Sequence, residues 1–157
     1  MKNIALVVAA CAALVSLAGD PLGELMGVDL SKPWPNTGDA LKIPSAIGPF
    51  SSGYVYTNAT TGVVHQFNLR ADCAAGASVD EAKVVMLGVE GAIIERFPGI
   101  EDFKPRLGRP EYLYGRCATL PGGKGWNVAL YVAPPSREGG ALQLMLTFWN
   151  PSLDVCK

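Results

Sequence analysis

Imidazole is almost absent from this chain, since His65 is the only histidine among its 157 residues. Triad and dyad chemistry needs a base beside a nucleophile, so such a site would have to be built on His65. The alternation of its strand puts His65 on one face with Val63, Phe67 and Leu69, which reads as a structural histidine at a core edge. The chain also lacks a Gly-x-Ser-x-Gly elbow, a His-Glu-x-x-His zinc motif and a calcium loop. Gly122-Gly123-Lys124-Gly125 holds a Gly-Lys pair without the Ser or Thr and the spacing of a P-loop, and reads as a turn. No residue pattern asks for a cofactor or a metal.

Charge is scarce as well. Only 17% of residues are charged and the formal net charge is −1, so no bulk field draws in nucleic acid or anionic lipid. The cluster Glu101, Asp102, Lys104, Arg106 and Arg109 is mixed in sign and reads as solvated surface.

Beyond residue 18 there is no long apolar run, which excludes a later membrane-spanning helix. The first 18 residues are different. Met1-Lys2-Asn3 carries one positive charge, an apolar run covers residues 4–15, and Ser16-Leu17-Ala18 places small residues before Gly19. This is the pattern of a cleaved secretory signal peptide, after which no stable membrane insertion is expected. Gly19, Pro21 and Gly23 follow at once and oppose a longer spanning helix. The protein is therefore expected in the periplasm or outside the cell.

Export bears on the cysteines. Cys73, Cys117 and Cys156 lie beyond residue 18, enough for one disulfide, and no Cys-x-x-Cys pair suggests zinc. Cys73 with Cys156 is the expected bridge, both lying at element ends, with Cys117 the alternative partner. Cys117 falls within an expected strand, where a buried thiol is ordinary.

What remains organises into an arm, residues 19–53, and a single α+β domain, residues 54–157. Residues 20–53 hold five prolines and five glycines, a density that excludes a helix or a central strand. Leu22, Leu25, Met26, Ile43, Ile47 and Phe50 are scattered through it, so it should pack on the domain. Residues 54–57 and 63–70 read as the strands of a β-hairpin with residues 58–62 as its turn. Ser78-Val79-Asp80-Glu81 matches a capping box and opens a helix expected over residues 79–97, stopped by Pro98-Gly99. Residues 112–120, 126–133 and 141–149 follow as a three-strand meander. The order β-β-α-β-β-β predicts an antiparallel β-sheet, hairpin plus meander, with one main helix packed on it.

Two features point to a partner. In the helix Val79, Ala82, Val85, Met86, Val89, Ile93 and Phe97 form the face for the sheet, while Val84, Leu87, Gly91 and Ile94 form a second stripe nearly opposite. Either the arm covers that stripe or a partner does. In the meander Tyr131, Met145 and Trp149 share the face turned away from the helix, with Tyr112 and Tyr114 joining them if their strand keeps register. Amphipathic aromatics among small polar residues suit the recognition of a surface. The sequence thus suggests an exported, non-enzymatic protein that binds another protein, as inhibitors and immunity proteins do. The alternative is a carrier holding a small apolar ligand between sheet and arm. A small hydrolase using carboxylates, or Cys117 with His65, ranks third.

Overall fold

A computed structural model describes residues 20–35, 38–106, 111–122 and 125–150. The expected signal peptide, the turn residues Gly123 and Lys124, Arg109 and the tail with Cys156 lie outside them. The elements run α1 (Pro21–Met26), β1 (Ala40–Ile47), β2 (Phe50–Thr57), β3 (Val64–Asp72), α2 (Val79–Arg96), β4 (Lys104–Pro105), β5 (Tyr114–Thr119), β6 (Asn127–Ala133) and β7 (Gln143–Trp149). The strands form one sheet in the order β1-β2-β3-β7-β6-β5-β4, every pair antiparallel. This is the expected α+β layer. Helix α2 carries the chain from β3 across one face toward the far edge, and the meander returns until β7 pairs with β3.

The alternation of apolar residues decides which face is the core. Phe67, Leu69, Leu144, Leu146, Phe148, Val128, Leu130 and Val132 are buried beneath Ala82, Met86, Val89 and Ile93 of α2 and its C-cap residue Phe97. Phe97 rests on Phe148 with ring centroids 6.4 Å apart, and Phe67 stacks on Trp126 at 5.8 Å. Burying side chains of this size contributes on the order of 2 kcal/mol each. The capping box forms as the sequence requires: Ser78 N donates to Glu81 Oε2 at 2.7 Å, and Glu81 N donates to Ser78 Oγ at 3.2 Å. Val79 is only half-buried and Val85 is exposed, so the core face of α2 is narrower than its apolar pattern suggests.

The proline-rich segment holds more regular structure than its composition suggests. Pro21 occupies the first turn of α1, where a missing N–H costs nothing, and Asp20 caps that helix by accepting from Leu22 N at 3.1 Å. Gly27 then ends it at φ 69°. Strand β1 contains Pro44 and is tolerated because it lies at the sheet edge, while β2 begins at Phe50 rather than at residue 54. Leu22, Leu25, Met26, Leu41, Ile43, Ile47 and Phe50 all enter the core. Strand β3 carries a bulge: Tyr56 pairs with Gln66 but Thr57 with Val64. The extra residue turns Val64 into the core with Phe67 and Leu69, in place of Val63.

The expected disulfide is not formed, because Cys73 and Cys117 both stand as thiols. Cys73 follows β3 and packs on the helix-side core, its N–H donating to Leu142 O at 2.9 Å. Cys117 is buried on the opposite face, in β5. Three strand spacings, about 14 Å, separate β3 from β5, twice the distance a bridge spans.

Candidate functional site

The outward stripe of α2 is uncovered. Val84 is 68% exposed, Leu87 50% and Ile94 46%. Helix α1 packs against β1, and the hollow it shares with α2 is lined by Leu25, Ala92, Ile93 and Arg96, on the flank of α2 rather than its crest. At 100° per residue, Ile94, Leu87, Gly91, Val84 and Gly88 span about 120°, centred opposite the buried face. A methyl group added at Gly88 or Gly91 would meet nothing within 4 Å. Gly91 therefore leaves a shallow gap between Leu87 and Ile94 on one side and Val84 on the other, and Gly88 extends the open surface beyond Val84.

The outer face of the meander, by contrast, is largely closed by the chain itself. Tyr131 is 4% exposed and Trp149 3%, clustered with Cys117, Ala129, Tyr112 and Met145. Gly115 makes this possible. It lies opposite Tyr131 in the β5–β6 register, and a Cβ there would come within 3.3 Å of the Tyr131 ring. Across that opening Arg106, whose N–H bonds Gly115 O at 2.9 Å, lays its guanidinium 5.0 Å from the Tyr131 ring centroid and 5.7 Å from that of Trp149. Tyr112 stacks on Tyr131 at 4.4 Å. These contacts are worth about 0.5–2 kcal/mol each where desolvated. Tyr112, Tyr131, Met145 and Trp149 thus come together as a covered cluster.

Tyr114 does not join them. It pairs with Val132, a core residue, and so projects toward α2, because regular pairing begins only at Tyr114 and the strand does not extend to Tyr112. There it belongs to a polar group that sequence reasoning missed. Arg116, also on the helix side, holds Glu90 of α2 with Nε 3.0 Å from Oε2, and its NH2 group donates to Phe103 O at 2.6 Å. The Nε–H is not aimed along the 3.0 Å vector, so both atoms are in ionic contact without a hydrogen bond. Burial pushes the Glu90 carboxyl above its ordinary range, against the pull of Arg116, and raises the Tyr114 phenol as well. The pair fixes the α2 flank to β5.

His65 in β3 and Cys117 in β5 lie three strands apart, too far for proton transfer. The half-buried Cys73 thiol is raised by desolvation and by the Asp72 carboxylate, the reverse of nucleophile activation. Among the described residues no group of three His, Cys, Asp or Glu side chains could hold a metal ion, and no helix is long and apolar enough to cross a membrane.

A cleft of about 610 Å³ opens between the arm and the sheet. Met26, Val28, Pro33, Trp34, Pro35, Leu41 and Val64 supply most of its wall, with Asp29, Lys32 and Lys42 at its polar margin. Trp34 is fixed by its N–H to Gly62 O and its Nε1–H to Gly38 O, both 2.9 Å. Asp29 ties the preceding turn by accepting from Ser31 and by an ion pair with Lys32 at 2.9 Å, and these bonds hold its carboxyl well below the usual range.

No protein-family model, curated protein or solved structure matches the chain.

Proposed function

We propose that this is an exported, non-enzymatic binding protein that engages another protein in the cell envelope or outside the cell through the outward face of α2. One observation carries the reading: Val84, Leu87 and Ile94 form a contiguous exposed apolar stripe across three turns of a well-capped helix, and the arm leaves them bare. A rigid helix face with a gap at Gly91 suits an apolar ridge on the partner, since the missing side chain allows close approach. Export rests on the pattern of residues 1–18.

The carrier reading finds less support. The cleft between arm and sheet is open, and along β1 its wall presents backbone polar groups that an apolar ligand would leave unsatisfied.

The test uses the chain from Gly19 onward, immobilised and exposed to envelope extract or culture fluid. Leu87→Gln and Ile94→Gln keep helix propensity at exposed positions, so stability should change by less than about 0.5 kcal/mol. The unaltered chain should retain a discrete protein that the double variant loses. Identical retention by both would remove the α2 face from the account.

A further inference from the structure

We infer that the free edge of β1 inside the arm–sheet cleft is a second binding site, one that takes an extended peptide by strand addition. Val55 N donates to Asp39 O at 2.8 Å, and Ala40 pairs with Tyr54, Leu41 with Gly53 and Lys42 with Ser52. In an antiparallel ladder hydrogen-bonded and non-bonded pairs alternate, so Asp39 and Leu41 bond toward β2 while the N–H and C=O groups of Ala40 and Lys42 point the other way. Sheet order makes that side an outer edge. Among the described residues nothing bonds these four groups. The chain segment that could have covered them, residues 33–34, is engaged elsewhere: Pro33 bridges to Val63 and Trp34 N donates to Gly62 O.

The space beside this edge is the 610 Å³ cleft, which Ala40, Leu41 and Lys42 border together with Trp34 and the flanking prolines. An unpaired strand edge in contact with water is ordinary; one that faces an apolar wall across a cleft of ligand size is a peptide site. Its length is set as well. Pro44 has no N–H to offer, and α1 abuts it, a Cβ at Gly27 falling 2.8 Å from Pro44 Cγ. The ladder is thus confined to residues 40–42.

Side-chain direction then specifies the occupant. In an antiparallel addition the peptide residues opposite Lys42 and Ala40 exchange paired hydrogen bonds with them, and the residue between, opposite Leu41, projects to the face of Leu41, toward Met26 and Val64. That middle residue should be apolar. The residue opposite Lys42 should be acidic, because Lys42 makes no ion pair among the described residues whereas Lys32 is already held by Asp29. The chemistry recognised is an extended acidic–apolar–any tripeptide segment of a partner. This site is separate from the α2 face and does not depend on it.

The probe is a capped peptide, acetyl-Ser-Glu-Val-Thr-Ser-Gly-amide, titrated into isotope-labelled full chain while amide exchange is followed residue by residue. Exchange at the Ala40 and Lys42 amides should slow about tenfold as the peptide saturates. The same peptide N-methylated at Glu and Thr, which keeps every side chain but loses the two ladder donors, should produce no slowing. Ala40→Pro should weaken the unmodified peptide severalfold, and the fold should persist because that N–H faces away from β2. Unchanged amides at about millimolar peptide would overturn the proposal, as would equal binding of the N-methylated form. So would protection of these amides in peptide-free protein that disappears on dilution, which would make the occupant a second copy of the chain.

Discussion

Glu90 and Arg116 show how a single pair sets a pH dependence that composition does not announce. The Glu90 carboxyl is raised in the folded chain, chiefly by burial, with Arg116 opposing. A carboxyl with a raised folded value binds more protons folded than unfolded over the interval above its ordinary 4.5. Its contribution to stability is therefore complete below that value and declines as pH rises through the folded one. The stability of the unaltered chain minus that of Glu90→Gln, which mimics the protonated carboxyl, should fall steadily from about pH 4 to about pH 7 when read by denaturant titration. A difference independent of pH would show that Glu90 titrates normally. Pairs of this kind are hard to read from sequence, because Glu90 falls outside both apolar stripes and Arg116 projects inward from a strand whose start had to be known. The same one-residue uncertainty separates Tyr114 from Tyr112. Arg106, which reads as solvated charge in its loop, lies instead over Tyr131 and Trp149 because Gly115 leaves room.

Among the elements, α2 was the most legible. Ser78 and Glu81 mark its start, Pro98-Gly99 its stop, and the 3.6-residue period its buried face. Strands β6 and β7 were legible for the matching reason, a clean period of two. Strand β1 and helix α1 were not, since proline density argues against both, yet proline is harmless in a first helical turn and at a sheet edge. The bulge at His65 has no simple sequence signal. Within α2 the two glycines carry a further prediction. Gly88→Ala and Gly91→Ala each put a methyl into open space on a helix, where alanine is favoured over glycine by about 0.5–1 kcal/mol. Both substitutions should raise the thermal midpoint, and Gly91→Ala should also fill the gap between Leu87 and Val84 and weaken binding of the proposed partner. For Gly91→Ala, a rise in stability with binding of the proposed partner unchanged would deny that gap a role.

On the scale of the molecule, apolar side chains among the described residues gather chiefly in a core between sheet and helix, in a covered aromatic cluster on the far side of the sheet, and on the bare crest of α2. The second of these was expected to be a recognition surface and instead is closed by Arg106 and Tyr112. The third could have been covered by the arm or by a partner, and the arm leaves it exposed because it is taken up in building α1, β1 and the start of β2. The proposed partner surface therefore lies on the helix rather than on the sheet. Site-specific photocrosslinking tests this most directly, with a benzophenone side chain replacing Leu87, Ile94 or, as the control in an exposed loop, Glu101. Positions 87 and 94 should each give one discrete adduct with a different protein, and position 101 none. No adduct from the helix positions, the same adduct from the loop, or an adduct with a second copy of this chain would contradict the account.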